Sequence, residues 1–170
     1  MKRIAIIGSP GAGKSYLSRT LADLLGLPLY HLDQMFWQEG WVEKGRAALM
    51  TELEPILLQE KWIIDGMYRN TLDLRLHYAD TLIYLDYSYI RCLWGVIKRT
   101  VTSLGRVRPD MADGCPERFD TEFIKYIGIF HREHRPLVEE IIKPYKENGS
   151  VQLLRFKHPK DVAQWLKTIA

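Results

Sequence analysis

The sequence predicts an α/β fold, a doubly wound and five-stranded parallel sheet with helices on both faces. The apolar run at residues 4–7 is typical of a parallel strand that is buried on both faces. Leucines then recur at helical spacing over residues 17–25, and Gly26 follows as a helix stop. Segments of these two kinds alternate along most of the chain, which indicates crossover connections between parallel strands.

The later elements are predicted from the same two patterns. Four further strands are expected at about residues 28–32, 61–65, 81–87 and 151–156. Five further helices are expected at about residues 43–59, 71–78, 89–103, 121–145 and 159–169. Pro136 is expected to kink or divide the helix that contains it. Residues 104–120 hold Arg, Pro, Gly and Asp but little that could be buried, so this segment is predicted to be a mobile surface loop.

Composition favours a single domain over residues 1–170, with a hydrophobic content of 46%. A net charge of +3 suits an anionic small molecule as easily as a nucleic acid. Cys92 and Cys115 lie far apart and predict neither a disulfide framework nor a zinc site. The sequence shows no signal segment and no apolar run long enough to span a membrane, so a cytoplasmic location is expected.

The stretch GSPGAGKS, at residues 8–15, lies between the first strand and the first helix. Glycines at this point let phosphates approach main-chain N–H groups at the positive end of a helix. In this pattern the lysine is placed between the β- and γ-phosphates, and the serine hydroxyl can hold a magnesium ion. An incidental glycine turn is the alternative, but the strand and helix on either side favour a nucleotide site. The residues predicted to bind the phosphates are Gly8, Ser9, Pro10, Gly11, Ala12, Gly13, Lys14 and Ser15.

Two aspartates follow predicted strands, where ligands of such sheets bind. Asp65 ends the third strand, and its carboxylate is predicted to hold magnesium together with Ser15, directly or through water. Asp33 ends the second strand and is predicted to orient an acceptor hydroxyl or to take its proton. A helix cap at Asp65 and an Asx turn at Asp33 are the structural alternatives.

Arginines are concentrated in the second half of the chain, and several lie in or after the loop at 104–120. A guanidinium that closes over a transferring phosphoryl group stabilises its charge, and a mobile loop can carry such a group while excluding water. Arg108 in the loop and Arg135 on the following helix are the preferred catalytic pair. Each of them has ion pairing at the surface as its alternative.

The aromatic segment MFWQEGW, at residues 35–41, has two interpretations. Its rings could stack on a planar acceptor, or they could form a small hydrophobic plug beneath the acceptor-side helix. The plug is the preferred interpretation. His131 and His134 have a spacing that suits metal ligands, but two histidines and one loop cysteine do not make a structural zinc site.

The chain resembles the adenylate kinase-related P-loop proteins known in bacteria as topology modulation proteins. The resemblance is carried by GSPGAGKS, YHLDQMFWQEGW, WIIDGMYRNTLDLRL, RPDMADGCPERFD and HRP. It implies a P-loop fold of the nucleoside monophosphate kinase or shikimate kinase type, ATP as the phosphoryl donor and an arginine-bearing lid around Arg106 and Arg108. It also implies that Asp65 and Arg69, in DGMYR, stand where adenylate kinases carry DGFPR, whose arginine holds the acceptor's phosphate.

Two positions depart from the pattern of these relatives. Met67 stands where asparagine is expected, and Glu39 stands where proline is expected, so the acceptor pocket is expected to differ in detail. Arg75, in TLDLRL, matches the family better than Arg69 does. Both arginines are therefore candidate ligands of the acceptor.

Taken together, these features predict an ATP- and Mg²⁺-dependent kinase that phosphorylates a small molecule, with a nucleotide or nucleoside as the candidate acceptor. The alternative is a nucleotide-dependent regulatory protein associated with nucleic acid, in which basic lid residues contact phosphate backbones. Nothing in the sequence supports direct DNA binding. The family name, topology modulation, therefore describes a cellular effect and does not predict contact with DNA.

Overall fold

A five-stranded parallel sheet forms the centre of the computed structural model, which describes residues 1–169. The strands are β1 (Arg3–Gly8), β2 (Leu29–His31), β3 (Trp37–Gln38), β4 (Val42–Glu43), β5 (Trp62–Asp65), β6 (Thr81–Leu85) and β7 (Gln152–Phe156). The helices are α1 (Lys14–Leu25), α2 (Leu32–Phe36), α3 (Arg46–Leu57), α4 (Arg69–Tyr78), α5 (Tyr89–Ser103), α6 (Thr121–Ile129), α7 (Arg135–Glu147) and α8 (Pro159–Ile169).

The strand order in the large sheet is β2-β5-β1-β6-β7, and all neighbours are parallel. Strand β1 therefore lies at the centre, with Ile6 in register with Asp65 on one side and with Ile83 on the other. This arrangement confirms the predicted doubly wound sheet. It places the carboxyl ends of β1, β2 and β5 side by side, at the edge where ligands of such sheets bind.

The two faces of the sheet pack into separate hydrophobic clusters. Ala5 and Ile7 face the cluster that holds α3, α4 and α7, whereas Ile4 and Ile6 face the cluster of α1, α5 and α8. All four side chains are fully buried. Successive side chains of a strand point to opposite faces, so a strand that is covered on both faces requires this unbroken apolar run.

The segment after β2, for which no strand or helix is predicted before residue 43, contains regular structure. Residues 32–36 form the short helix α2, and β3 and β4 then pair as an antiparallel hairpin. The hairpin turn contains Gly40 with φ 75° and Trp41 with φ 65°, a left-handed conformation that is unusual for a tryptophan. Asp33 therefore lies in the first turn of a helix, two residues after β2 ends.

The predicted helix at 121–145 is divided into α6 and α7, as expected for the segment that contains Pro136. A π-helical turn over Phe130–His134 joins the two helices, and Pro136 is the second residue of α7. Proline is tolerated there because the first N–H groups of a helix have no intrahelical partner. Within residues 1–169, no helix combines the length and the apolar character needed to cross a membrane.

Candidate functional site

The loop between β1 and α1 has the backbone geometry of a phosphate cradle. Gly11 and Gly13 adopt φ values of 79° and 89°, a region that glycine reaches without a steric penalty. Gly13 is the N-cap of α1, so the loop leads directly into the positive end of that helix. The Lys14 ammonium turns back over the loop and donates a hydrogen bond of 3.2 Å to the Ser9 carbonyl oxygen.

A second helix packs against this loop through a pair of glycines. A Cβ atom on Gly11 would lie 2.1 Å from the carbonyl oxygen of Cys92, and one on Gly95 would lie 2.2 Å from the carbonyl oxygen of Gly11. Helix α5 and the phosphate loop can approach this closely only because both residues lack side chains. Gly95 was not among the predicted residues, although a glycine within a helical pattern is a signal of close packing.

Asp33 and Lys14 line the same cavity as the phosphate loop. The Tyr68 hydroxyl donates a hydrogen bond of 2.7 Å to Asp33 Oδ1. Burial raises the pKa of Asp33, and the Tyr68 hydrogen bond and the Lys14 charge oppose that rise in part. Burial lowers the pKa of Lys14, against the attraction of Asp33 and Asp65. The carboxylate of Asp33 is thus a group whose proton affinity is higher than usual, at a site where an acceptor could reach it.

Asp65 lies at the end of β5, where both of its carboxylate oxygens have protein partners. Oδ2 accepts a hydrogen bond of 2.7 Å from Ser18 Oγ, and Oδ1 lies 2.8 Å from His31 Nδ1. These contacts fix the orientation of the carboxylate, which is 3% exposed and borders the cavity. The contacts of Ser18 and His31 with Asp65 were not predicted, because neither residue belongs to the phosphate-loop motif.

The donors near the phosphate loop fit a magnesium ion that is held mainly by nucleotide phosphates and water. Ser15 and Asp65 border the same cavity and offer oxygen atoms, which Mg²⁺ prefers. Residues 1–169 contain no group of three or more His, Cys, Asp or Glu side chains that could hold a metal ion alone. Mg²⁺ in nucleotide sites commonly uses one or two protein oxygens together with substrate phosphates.

The lid, residues 104–120, contains an ion-pair network that borders the cavity. Arg108 donates to Asp110 Oδ2 at 2.6 Å and lies 2.9 Å from Glu117 Oε2. Glu117 Oε1 also accepts hydrogen bonds from Arg99, at 3.1 Å, and from Thr100, at 3.0 Å. Arg108 of the lid and Arg99 of α5 border the cavity, and lid carboxylates hold both guanidinium groups, whereas Arg106 does not border the cavity.

The lid is also joined to the aromatic segment by hydrogen bonds. Gly40 N donates to the Gly114 carbonyl at 3.0 Å, and Trp41 Nε1 donates to the Pro116 carbonyl at 3.2 Å. The Gln34 amide donates to the Pro109 carbonyl at 2.6 Å. The lid is therefore closed over the cavity in this structure, and the hairpin of β3 and β4 supports it.

Arg135 lies outside the cavity, contrary to its predicted catalytic role. Its guanidinium makes two hydrogen bonds to Asp86, at 2.8 and 2.7 Å, and Arg155 contacts the same carboxylate at 2.6 Å. The hydrogen bond to Asp86 raises the pKa of Arg135. Arg135 thus ties the start of α7 to the end of β6, and its donors are directed at a protein carboxylate.

Arg75 is not placed to bind an acceptor, contrary to its prediction. Its side chain is fully buried and donates to Thr71 Oγ1 and to the carbonyl oxygens of Gly66 and Tyr68. These bonds satisfy the guanidinium within the protein and fix the segment after β5. Arg69 does border the cavity, where its Nη1 lies 3.2 Å from His134 Nδ1.

The cavity has a volume of about 900 Å³, and aromatic side chains form two of its walls. In one wall, Phe36 contacts Trp37 and Tyr68, with ring centroids 5.2 and 4.9 Å apart. The opposite wall comes from α6 and the π-helical turn. Its members are Phe123, Tyr126, Phe130 and His134. Phe36, Trp37 and Trp41 border the cavity, although a hydrophobic plug was the preferred interpretation of their segment. The α6 rings were not predicted, because they follow an ordinary amphipathic pattern.

Comparisons with known proteins relate the chain to kinases. No model of a protein family matches it. The chain is 29% identical to a shikimate kinase of Rhodococcus jostii (strain RHA1) over an alignment of 153 residues, and the match covers 82% of this chain and 83% of that protein. Among solved structures, shikimate kinase from Acinetobacter baumannii in complex with shikimate matches 99% of this chain and 92% of that chain, with a TM-score of 0.56 and 16% identity.

The chain has the α/β fold of the solved shikimate kinase and is similar in sequence to the Rhodococcus one. This confirms the predicted fold type. Shikimate kinases use ATP and Mg²⁺, the cofactors predicted from the phosphate loop. The resemblance to topology modulation proteins stays a prediction.

Proposed function

We propose that this protein transfers the γ-phosphoryl group of Mg²⁺-bound ATP to a small acceptor with a planar ring, a nucleoside or a nucleotide. The observation that carries the proposal is the meeting of the phosphate loop, Asp33 and the two aromatic walls in one cavity. Homology to shikimate kinase supports the kinase chemistry. The ring-shaped acceptor is inferred from the aromatic lining, because rings stack on aromatic side chains.

In this proposal, each side chain near the phosphate loop has one task. The loop amides and Lys14 bind the β- and γ-phosphates, while Ser15 and Asp65 hold the magnesium ion. Bound magnesium would supply positive charge that offsets the charge on the phosphates. Arg99 and Arg108 lie on the lid side, where a guanidinium stabilises the transferring group.

Asp33 acts on the acceptor. Its carboxylate accepts the proton of an acceptor hydroxyl as the new oxygen–phosphorus bond forms, and the bond between the γ-phosphorus and the bridging oxygen breaks to release ADP. The raised pKa of Asp33 suits this task, because a carboxylate of higher proton affinity is a stronger base. If the acceptor is instead a nucleoside monophosphate, Asp33 orients the acceptor and Arg69 binds its phosphate.

The proposal is tested by measuring ADP formation from ATP and Mg²⁺ with nucleosides, nucleoside monophosphates and shikimate as acceptors. We expect at least one nucleoside or nucleoside monophosphate to raise ADP formation above the water reaction and to gain the phosphoryl group. Lys14→Ala should abolish this transfer, and Lys61→Ala, at an exposed lysine outside the cavity, should not. Stimulation by shikimate alone, whose cyclohexene ring is not a planar base, would refute the nucleoside or nucleotide acceptor but leave the kinase chemistry intact. Stimulation by none of these acceptors, together with salt-sensitive binding of duplex DNA, would favour the regulatory alternative.

A further inference from the structure

An apolar row runs along the outward face of α5 and ends just after it. Ile90, Trp94, Ile97, Val101 and Leu104 are 76%, 59%, 38%, 75% and 61% exposed. Their spacing is four, three, four and three residues, which is the a/d pattern of a helix that packs along another helix. We call these five residues the α5 seam.

The seam is separate from the nucleotide cavity. None of its five side chains borders that cavity, whereas Gly95 and Arg99 on the opposite side of α5 do. The buried side of the helix packs on the sheet and the phosphate loop through Cys92 and Val96. Most of the outer face of α5 is therefore exposed within the described residues, 1–169.

The exposed area of the seam is in the range of a protein interface. Its five side chains expose on the order of 600 Å² together, the upper end of the largest apolar patch on a typical monomer. Each partner buries roughly 800 Å² in a stable complex, so the row would supply most of one partner's share.

We propose that the α5 seam is the interface of a homodimer, in which it packs against the same seam of a second copy of this chain. A two-fold axis brings identical patches together, so a single apolar row is sufficient on each protomer. The other exposed apolar side chains that the structure describes are scattered over several elements, for example Leu58 on the segment after α3 and Leu137 on α7. They offer no second row for a head-to-tail contact. A 3.5-residue repeat gives a narrow apolar stripe, which suits packing against another helix. A helix that binds a lipid surface has a wider apolar face.

Charges beside the seam predict how the dimer responds to salt. Arg91 and Lys98 are exposed along one edge of it, and residues 87–109 contain no Asp or Glu. Two copies bring these basic edges near each other, so screening by salt should strengthen the dimer. An acidic partner or an anionic membrane would show the opposite dependence.

Sedimentation of the full chain from 1 to 100 μM is the first test. We expect a transition from a monomer of 19.9 kDa to a dimer, with tighter association as sodium chloride rises. Trp94→Glu and Val101→Glu should each weaken the dimer at least about 100-fold, because each places a charge in the apolar contact. Leu58→Glu, at a side chain that is 72% exposed outside the seam, is the matched control and should leave the dimer intact. Circular dichroism verifies that all three variants fold.

A cross-link gives a second readout that does not depend on weakened association. Ile97 is the central residue of the seam, so it meets its own copy whether the two helices run parallel or antiparallel. Ile97→Cys should form a disulfide-linked dimer on mild oxidation, and Leu58→Cys should not, while the natural cysteines Cys92 and Cys115 are buried. The proposal is overturned if the chain remains a monomer at 100 μM, whether or not it binds anionic vesicles. It is equally overturned if the glutamate variants dimerise like the wild type, or if the Ile97→Cys dimer forms no cross-link.

Discussion

The Tyr68 hydroxyl donates a hydrogen bond of 2.7 Å to Asp33 Oδ1. The two residues come from different parts of the chain: Asp33 from the helix after β2, and Tyr68 from the turn after β5. Burial and the charge of Asp33 raise the pKa of Tyr68, so the phenol keeps its proton and remains a donor. The hydrogen bond therefore orients the carboxylate and favours its charged form.

We expect Tyr68→Phe to shift the pH dependence of turnover. The hydrogen bond lowers the pKa of Asp33, so its removal should raise that pKa further. The fraction of ionised carboxylate at low pH then falls, and the acid limb of the kcat profile should move to higher pH. Tyr30→Phe, which loses an exposed hydrogen bond to Gln59, is the control and should leave the profile unchanged. An unshifted acid limb in Tyr68→Phe would show that the hydrogen bond does not tune Asp33.

Asp33→Asn should reduce kcat by about 100-fold or more, because an amide cannot accept the proton of the acceptor. The amide can still accept the Tyr68 hydrogen bond, so the site should remain folded and the KM for ATP should change little. Steady-state kinetics with the stimulating acceptor measure both constants. Asp73→Asn, at an exposed residue that contacts Tyr145, provides a control at a distant carboxylate. Undiminished turnover in Asp33→Asn would remove this residue from the mechanism.

Gly95→Ala should disturb the phosphate loop. Alanine normally stabilises a helix by up to about 1 kcal/mol relative to glycine. Here its Cβ would lie 2.2 Å from the carbonyl oxygen of Gly11, so either the loop or α5 must shift. We expect the affinity for an inert ATP analogue to fall at least about tenfold, together with a loss of thermal stability.

The control for this variant is another helical glycine. A Cβ on Gly128, in α6, would have only one neighbour, the Tyr89 ring at 3.7 Å, which is an ordinary contact. Gly128→Ala should therefore bind the analogue normally and be as stable as the wild type or more so. Equal behaviour of the two variants would contradict the close approach of α5 to the loop.

Arg135→Ala should affect stability more than catalysis. Its guanidinium is bound to Asp86 outside the cavity, and removing it leaves that buried carboxylate with Arg155 as its remaining cation. We expect a loss of about 1 kcal/mol in the free energy of unfolding, since the guanidinium is partly exposed, and a kcat within about threefold of the wild type. Urea denaturation and kinetics measure the two effects. A loss of kcat by orders of magnitude with unchanged stability would restore the catalytic role.

The sheet could be predicted from the sequence, because a strand that is buried on both faces requires an unbroken run of apolar residues. Residues 4–7 must be apolar throughout when helices cover both faces, and the phosphate-loop pattern identifies the turn that follows. Helix α5 was predicted with the bounds that the structure has, residues 89–103. These features depend on neighbours along the chain, which a single sequence contains.

Contacts between distant segments could not be predicted in the same way. Tyr68 reaches Asp33 only because α2 begins directly after β2 and turns the carboxylate toward the end of β5. Arg75 was predicted to be an acceptor ligand because TLDLRL matches the resembled family, but its partners here include two backbone carbonyls. Carbonyl groups are present at every residue, so the sequence gives no sign of which ones a buried guanidinium will meet.

Calorimetric titration with an inert ATP analogue and Mg²⁺ tests the central claim most directly, because it depends only on the phosphate loop and not on the acceptor. The account predicts a saturable heat of binding that is lost in Lys14→Ala and retained in Lys61→Ala. Folded wild-type protein that gives no heat even at millimolar Mg²⁺-bound analogue would contradict it.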